Sequence, residues 1–550
     1  MKSIRVDNWI AVLFVGVACA IVGLRSLSPL VLNSDASVQI GAALSLLDGD
    51  GFGTYILNSD VTQPPKVNPL TWYAPGFSLV LFGLLKLGLP MPTALKAMYA
   101  IASIVGWLGW GLIFRDVMRS QQKGALSQCV AGLLAVLLPF YFTYDWIGTD
   151  LFLWAGIPLI IRLFYSSNER NDASFWIGCL VGLMYAFRYA AIFIIVGFCL
   201  FFLIKRRNFL KLGKILLGFG LFYGAISIYR SLVSTRVPSQ LTVSGLLQPD
   251  ALLRKLIQIA DGLRQVRYLL FSHLSGVIPS GRIIIVLVFA LLLIYASILV
   301  WGYPSGSEKR SSNSRLEIIL CLNFGLISML AVISFFSSID FIYLADQRYY
   351  YPLFPSLVLV AYEVGFGQAQ TGFDWNRLLK IVSLVFLGSL IFFSTTVFLR
   401  APDRVFGFDR FDAKTYLTEY PSNKILNRHP NSYEAAIESL KKNPQAKIIS
   451  FAENFDFYHT LDPEIRRRFL PSSYLKQKIF STHTSSRDLP VYLIFGMEEN
   501  CKSYCFYDSG KEVELIEQIA PPKVVYENNQ EKVRILSTKL PKGLKFKFSL

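Results

Sequence analysis

Long apolar runs are the feature that most constrains the fold of this chain. They recur through the first 400 residues at about 20 residues each, the length that an α-helix needs to cross a lipid bilayer. Hydrophobic residues make up 53% of the chain and charged residues only 17%, which is too apolar for a soluble protein of 550 residues. The sequence predicts a polytopic α-helical membrane protein with about eleven transmembrane helices. They lie near residues 9–32, 93–114, 125–143, 150–165, 173–188, 190–204, 213–232, 281–302, 316–337, 350–365 and 379–399.

Basic residues orient these predicted helices. The net charge is +17, and most basic residues flank apolar runs, as Lys205-Arg206-Arg207 and Lys309-Arg310 do. This pattern is typical of cytoplasmic loops, so we expect no nucleic-acid partner. Lys2 and Arg5 place the N-terminus in the cytoplasm, and the first apolar run is too long for a cleavable signal. An odd number of crossings predicts a multi-pass plasma (inner) membrane protein with its C-terminal region in the periplasm or outside the cell.

A large first outer loop, residues 32–92, follows the first apolar run. It opens with Asn33-Ser34-Asp35, which places Asp35 at the membrane–water boundary. Trp72-Tyr73 precede a second apolar stretch, 77–89, which is too short to span the bilayer. Because aromatic side chains favour the membrane interface, we expect this loop to carry interfacial helices. We interpret it as an active-site loop.

The composition changes near residue 401 to that of a soluble domain. Charged residues occur throughout 401–550, and no membrane-length run follows. Helical and strand-like segments alternate, which predicts a soluble α/β or α+β domain. The predicted helices are 433–442 and a turn at 464–469, and the predicted strands are 447–451, 491–495, 523–526 and 533–536.

Two cysteines of this domain, Cys501 and Cys505, lie outside the apolar runs that contain the other five. In an oxidising compartment they would close a small disulfide. Two free or metal-binding thiols are the alternative, and the sequence leaves both open.

Charged residues near the outer ends of the predicted spans are the candidate functional residues. A charge at membrane depth costs about 2.5–3.5 kcal/mol, so the few charges near the outer span ends are informative. For any one of them, a solvated loop residue or a structural ion pair is an equally good interpretation. Under the predicted topology they share one side of the membrane, where an outer cavity would gather them. They are Asp35, Asp145, Asp150, Arg188, Asp340, Asp346 and Arg348.

Four segments of the chain carry a resemblance to a known family. They are Asp35 to Leu44 with Tyr73 to Leu79, Thr149 to Phe152, Gly182 to Tyr189, and Asp346 to Pro355. In this order the segments resemble GT-C integral-membrane glycosyltransferases, which include protein mannosyltransferases and the lipid A aminoarabinose transferase. The resemblance covers about residues 1–400 and, loosely, the C-terminal domain. The chain departs from the family pattern because Asp35 has no second acidic residue beside it.

The resemblance implies a reaction. Such enzymes transfer a sugar from a polyprenyl-phosphate-linked donor to a lipid, glycan or protein acceptor hydroxyl on the outer face of the membrane, with inversion. The transfer needs a base for the acceptor proton and a cation for the leaving phosphate. We expect Asp35 to be the general base or a metal ligand, and Asp150, with Asp145 second in order, to assist it. Arg348 and Arg188 are the expected phosphate-binding residues, with Tyr349 and Asp346 beside Arg348.

A divalent cation is compatible with these carboxylates. Asp35 and Asp150 would offer oxygen ligands, which suit magnesium or manganese. Zinc prefers nitrogen or sulfur ligands, and His273 is the only histidine of the membrane part. The sequence leaves metal dependence open.

Two other functions compete with the transferase. A secondary transporter would also use membrane charges, although its binding residues are expected at mid-span and the charges here lie near span ends. A non-catalytic membrane assembly factor is the second alternative, and it predicts that changes of Asp35 are tolerated.

Overall fold

The protein is mostly helical, with a small region of β-sheet. Its computed structural model describes residues 8–26, 30–31, 34–56, 60–71, 73–120, 125–142, 149–166, 172–233, 317–326, 328, 354–366, 380–388, 390–391, 395, 425–426, 430–450, 467–471, 483–496, 523–529 and 533–546. The chain divides into two compact units. The first comprises Met1–Leu27, Tyr99–Leu232 and Pro238–Tyr416, and the second comprises Ser28–Met98, Val233–Val237 and Leu417–Leu550.

The helices follow the apolar runs of the sequence. In chain order they are α1 (Asn8–Ser26), α2 (Ser34–Leu47), α3 (Gly76–Lys86), α4 (Met91–Ser120), α5 (Ala125–Phe142), α6 (Asp150–Ser166), α7 (Ser174–Phe187), α8 (Ile192–Leu200), α9 (Phe209–Val233), α10 (Phe354–Phe366) and α11 (Pro430–Lys442). A 3-10 turn, Tyr189–Ala191, precedes α8, and a π-helical segment, Phe201–Arg206, follows it. Residues 317–326 and 380–388 are also helical.

The strands are short and belong mainly to the C-terminal part of the chain. They are β1 (Leu30–Val31), β2 (Gly53–Ile56), β3 (Lys66–Pro69), β4 (Ile425–Leu426), β5 (Lys447–Ser450), β6 (Phe469–Pro471), β7 (His483–Thr484), β8 (Leu489–Gly496), β9 (Lys523–Asn528), β10 (Val533–Leu540) and β11 (Lys545–Phe546).

Helix α1 is shorter than the predicted first span. It ends at Ser26, where the Ser26 hydroxyl donates a hydrogen bond to the carbonyl of Gly23 at 2.6 Å. Pro29 follows in the sequence, and a proline disfavours helical geometry in the residue before it. The prediction of a helix to residue 32 is therefore wrong at Leu30 and Val31, which form β1 instead.

Large aromatic side chains fill the core of the first unit. Phe14 of α1 stacks on Trp107 of α4 with ring centroids 5.6 Å apart, and Trp107 meets Trp154 of α6 edge-on at 4.8 Å. All three side chains are fully buried. Gly106 makes room for this cluster, because a Cβ there would lie 2.2 Å from the Trp154 ring.

Helices α7 and α9 of the same unit approach each other through glycines. A Cβ on Gly178 would lie 2.1 Å from the backbone oxygen of Ile215, and a Cβ on Gly218 would lie 2.3 Å from that of Phe175. Small residues permit such backbone contact, which is typical of helix packing in membranes.

The described apolar runs are helical, as predicted. Within the described residues, two helical stretches are long and apolar enough to cross a membrane, Met91–Met118 and Phe209–Leu232, and the other apolar helices are shorter. The predicted span at 281–302 lies outside the described residues. The number of crossings stays a prediction.

The second unit contains most of the first outer loop. Strands β2 and β3 form an antiparallel hairpin, with Gly53 opposite Pro69 and Ile56 opposite Lys66. Helix α2 packs on this hairpin through a small cluster of buried residues, Val38, Ala42 and Leu70. A helix, α3, covers Gly76–Lys86 where an interfacial helix was predicted, and its position at the membrane surface stays a prediction.

The second unit also contains a mixed five-stranded sheet in the order β6-β5-β8-β10-β9. Strand β5 is parallel to β6 and β8, whereas β10 is antiparallel to both β8 and β9. Helix α11 covers the sheet by burying Ala436 and Leu440 against Ile448, Ile494 and Ile535. Predicted strands 447–451, 491–495, 523–526 and 533–536 and predicted helix 433–442 are confirmed, with bounds that differ by a few residues.

Arg468, which belongs to the predicted helical turn 464–469, holds the C-terminal end of α11. Its guanidinium donates hydrogen bonds to the carbonyl oxygens of Leu440, Asn443 and Ala446 at 2.8, 2.6 and 3.0 Å. Last-turn carbonyls have no partner within a helix, so an arginine that binds them stabilises the helix end. Only residues 467–468 of the predicted 464–469 turn are described as helical, and Phe469 begins β6.

Two predictions about the C-terminal region fall outside the described residues. The boundary near residue 401 is one, and the pairing of Cys501 with Cys505 is the other.

The glycine contact between α7 and α9 gives a test of this packing. We expect Gly218→Ala to lower the melting temperature in detergent, because the new Cβ would meet backbone atoms that cannot turn aside and overpacking typically costs about 1–3 kcal/mol. Gly220→Ala in the same helix is the matched control, since nothing lies within 4 Å of that position and alanine favours helix by about 1 kcal/mol. Equal melting temperatures for the two variants would contradict the packing.

Candidate functional site

Asp35 is the second residue of α2, in the second unit. Backbone N–H groups of a first helical turn have no partner within the helix, so a carboxylate is favoured at this position. The Asp35 side chain lies outside what the structure describes. Its backbone position is nonetheless fixed, because the helix that holds it is buried.

Helix α2 is buried, and other residues of the loop pack against it. Ser37, Gln39 and Ile40 are at most 1% exposed, although two of them are polar. The Ser78 hydroxyl of α3 donates a hydrogen bond to the Gln39 carbonyl at 2.8 Å, and Phe52 and Tyr73 pack against the cluster beneath α2. The loop is thus a folded element with its own small core.

The C-terminal part of the second unit contacts the chain just before and just after α2. Before the helix, β1 pairs with β4 in parallel, with Leu30 opposite Ile425. After it, the Arg467 guanidinium binds Asp50 through two nitrogens at 2.6 and 3.2 Å. The Tyr55 hydroxyl donates to the same carboxylate oxygen of Asp50. Hydrogen bonding to Asp50 and Tyr55 raises the pKa of Arg467, so this residue stays charged.

Asp60 lies between the strands of the hairpin and accepts several hydrogen bonds. Its carboxylate accepts from the backbone N–H and hydroxyl of Thr62 at 2.9 and 2.8 Å, and from the backbone N–H of Ser486 at 3.3 Å. Burial raises the pKa of Asp60, but these hydrogen bonds outweigh it and hold the pKa well below its usual range. Asp60 is therefore a carboxylate at neutral pH.

Lys447, the first residue of β5, binds the same turn of the loop. Its ammonium donates to the carbonyl oxygens of Val61 and Gln63, both at 2.6 Å. Burial lowers the pKa of Lys447 to about 8, with Asp60 opposing that shift and Arg487 adding to it. We call the contacts of Asp60, Lys447 and Ser486 the loop clamp.

In the first unit, Asp150 and Arg188 form an ion pair. Asp150 begins α6 and is 2% exposed, and Arg188 follows the last residue of α7 in extended backbone. The Arg188 Nε contacts the Asp150 carboxylate, and its Nη1 donates to the Thr149 hydroxyl at 3.3 Å. The sequence predicted both residues as site residues and also allowed a structural ion pair. The structure brings the two together.

A further arginine, which was not among the predicted site residues, contacts the residue that follows Arg188. The guanidinium of Arg230, in the last turn of α9, lies 5.3 Å from the ring centroid of Tyr189, which directly follows Arg188. Tyr185 lies next to Tyr189, with ring centroids 5.2 Å apart. A tyrosine and an arginine at a span end, Tyr229-Arg230, are the signal that would have found it.

The remaining predicted site residues fall outside the described part of the chain. They are Asp145, Asp340, Asp346, Arg348 and Tyr349.

A metal site is not formed by the described residues alone. Among them, no three His, Cys, Asp or Glu side chains are grouped to hold an ion. Asp35 and Asp150 belong to different units, so their shared magnesium or manganese ion stays a prediction.

No family model matches the chain, and no curated protein is significantly similar to it.

The ion pair of Asp150 and Arg188 gives a stability test. Removal of one partner of a buried pair leaves the other charge uncompensated and typically costs about 3–5 kcal/mol. We therefore expect Arg188→Ala to lower the melting temperature in detergent strongly. The double variant Asp150→Asn with Arg188→Ala should melt higher than Arg188→Ala alone, because it removes the stranded charge. If the double variant melts lower still, the two side chains are not coupled as a pair.

Lys447 gives a test of pH dependence. Its folded pKa of about 8 lies below its ordinary value of 10.5, so between these values the unfolded chain binds more protons than the folded one. Stability contributed through Lys447 is therefore lowest below about pH 8 and rises as the pH increases toward 10. We expect the melting temperature of the protein, relative to that of Lys447→Met, to rise between pH 7.5 and pH 9.5. Parallel pH curves for the two proteins would show that Lys447 does not titrate in this range.

Proposed function

We propose that this chain is a multi-pass membrane glycosyltransferase of the outer face of the plasma membrane. It transfers a sugar from a polyprenyl-phosphate-linked donor to a hydroxyl of a lipid, glycan or protein acceptor. The observation that carries the proposal is the fold of the first loop, in which Asp35 lies in the first turn of a buried helix that follows the apolar helix α1 in the chain. If Asp35 were only a solvated loop residue, its position would not require a buried helix.

Helix α3 supports a place for this loop at the membrane surface. One side of the helix is buried, through Phe77 and Leu81 at 0% exposure. Its other side exposes Leu79 and Val80 at 47% and 43%, and Leu87 just beyond it is 80% exposed. Exposed apolar side chains on a short helix fit the headgroup region of a bilayer, where a polyprenyl phosphate also presents its phosphate.

The reaction assigns Asp35 a defined step. The acceptor oxygen attacks the anomeric carbon of the donor sugar from the side opposite the phosphate, and a new carbon–oxygen bond forms with inversion. The bond from that carbon to the phosphate oxygen breaks, and its electron pair stays on the phosphate. Asp35 takes the proton that the acceptor hydroxyl loses, which is general base catalysis. The products are the glycosylated acceptor and the polyprenyl phosphate.

The leaving phosphate needs positive charge. A guanidinium stays charged when partly desolvated and offers paired donors to phosphate oxygens, so Arg348 and Arg188 are the proposed binding residues. Asp346 and Tyr349 flank Arg348 in the sequence and are proposed to orient it. A magnesium or manganese ion held by Asp35 and Asp150 would supply further charge.

The transporter alternative fits the described charges less well. Asp150 begins α6 and Arg188 follows the end of α7, so this pair lies at helix ends. Coupling-ion and substrate sites of transporters are formed near the bilayer midplane by interrupted helices.

The proposal is tested at Asp35. The protein is first purified in detergent, and the co-purifying polyprenyl phosphate glycoside, identified by mass spectrometry, becomes the donor of the assay. Asp35→Asn keeps the size of the side chain but cannot accept the proton, and positioned proton transfer contributes about 10²–10⁴-fold. We expect the transfer rate to fall by that factor while donor binding changes little.

The matched control is Asp48→Asn, which alters a carboxylate directly after Leu47, the last residue of α2. It should retain transfer and melt at the same temperature as Asp35→Asn. Normal transfer by Asp35→Asn would exclude Asp35 as the base, whereas absence of transfer by the unmodified protein would favour the assembly factor. A large loss of melting temperature would instead make Asp35 a structural residue.

A further inference from the structure

We propose that the C-terminal domain holds α2 in place through Arg467 and Lys447, which are therefore positioning residues for Asp35. The role given to Asp35 rests on the proposed function, whereas the hold of the C-terminal domain on α2 does not. Both residues belong to the second unit together with α2.

The contacts fall on both sides of α2 along the chain. Strand β4 pairs with β1, four residues before Asp35 is reached, and Arg467 binds Asp50, which follows the C-terminal turn of the helix. The backbone N–H of Asp50 donates to the carbonyl of Ser45 at 3.0 Å, so the carboxylate that Arg467 binds is attached directly to the helix end. A shift of α2 along its axis would have to break one of these two contacts.

The Asp50 carboxylate accepts from several donors at once. Two nitrogens of Arg467 reach one carboxylate oxygen, and the Tyr55 hydroxyl of β2 donates to the same oxygen. This arrangement joins the helix end, the hairpin and the C-terminal domain at one point. A planar guanidinium fixes direction as well as distance, which a single ammonium cannot do.

The loop clamp holds the far end of the same hairpin. Lys447 donates to two backbone carbonyls of the turn, and Ser486 donates its N–H to Asp60. The Thr62 and Ser486 hydroxyls also lie 2.8 Å apart, within hydrogen-bond distance. Since the hairpin forms the surface on which α2 packs, a fixed hairpin fixes the face of the helix as well.

These contacts are suited to holding α2 in position rather than to raising the global stability of the protein. Arg467 and Asp50 are 44% and 30% exposed, and ion pairs at such exposure add little to global stability. Their loss should therefore leave the protein folded but let α2 move. That difference separates a positioning role from a merely structural one.

The experiment compares three variants of the full-length protein in detergent: Arg467→Gln, Lys447→Met and the control Arg534→Gln. Arg534 pairs with Glu527 at 2.9 Å at similar exposure in the same domain, between neighbouring strands of the sheet and away from the first loop. Hydrogen–deuterium exchange is measured over residues 34–56. We expect at least a tenfold increase in exchange rate there for Arg467→Gln and Lys447→Met and none for Arg534→Gln, with the melting temperature of Arg467→Gln close to that of the unmodified protein.

Transfer kinetics give the second readout. Arg467→Gln should lower kcat at least tenfold with KM for the donor unchanged, and Arg467→Lys should recover part of it. Exchange in residues 34–56 equal to that of the unmodified protein would overturn the positioning role, as would wild-type kcat in a variant with raised exchange. If the unmodified protein transfers no sugar, the proposed function fails, while raised exchange still supports the hold on α2.

Discussion

The backbone hydrogen bond is the constraint on which the structure of the first unit depends. A chain this apolar cannot leave N–H and C=O groups unpaired away from water, so its long runs form helices that satisfy them internally. Helices without polar faces must then pack through complementary shapes. Examples are the stacked rings of Phe14 and Trp107 and the close backbone contact at Gly218. In the described part of this unit, charged side chains lie at ends and breaks of helices, as Asp150 and Arg188 do. Chemistry in this unit is therefore expected at those ends.

The first loop follows a different logic, because it is too small to build a large core. The cluster under α2 contains only Val38, Ala42 and Leu70 at its centre, with two aromatic side chains at its edge. Small folded elements of this kind usually need additional staples. Here the staples are supplied by the C-terminal part of the chain, through strand pairing with β1 and the polar contacts of Arg467 and Lys447. Loop and C-terminal domain are accordingly one compact unit.

The sequence predicted the local elements better than their association. Apolar runs of membrane length predicted the helices, and short strand-like segments predicted strands such as β8 and β10, because both patterns depend on near neighbours. The contact of Arg467 with Asp50 joins residues 417 positions apart, and no local pattern encodes it. The break at Arg188 was predicted, because one span was expected to end at residue 188 and the next to begin at residue 190, but its pairing with Asp150 was one of several open interpretations. Asp346 and Arg348 lie outside the described residues, so that part of the predicted site rests on the sequence.

The ion pair of Asp150 and Arg188 changes how much of the phosphate binding the proposal assigns to each arginine. Arg188 contacts a carboxylate that is 2% exposed, and such a pair is close to neutral as a unit. A leaving phosphate carries negative charge that a neutral pair compensates only weakly, and separation of the pair would strand the buried Asp150. The proposal therefore places the larger share of phosphate binding on Arg348. Arg188 then serves first to hold the start of α6 against the end of α7, and its charge contributes to the phosphate only from within that pair.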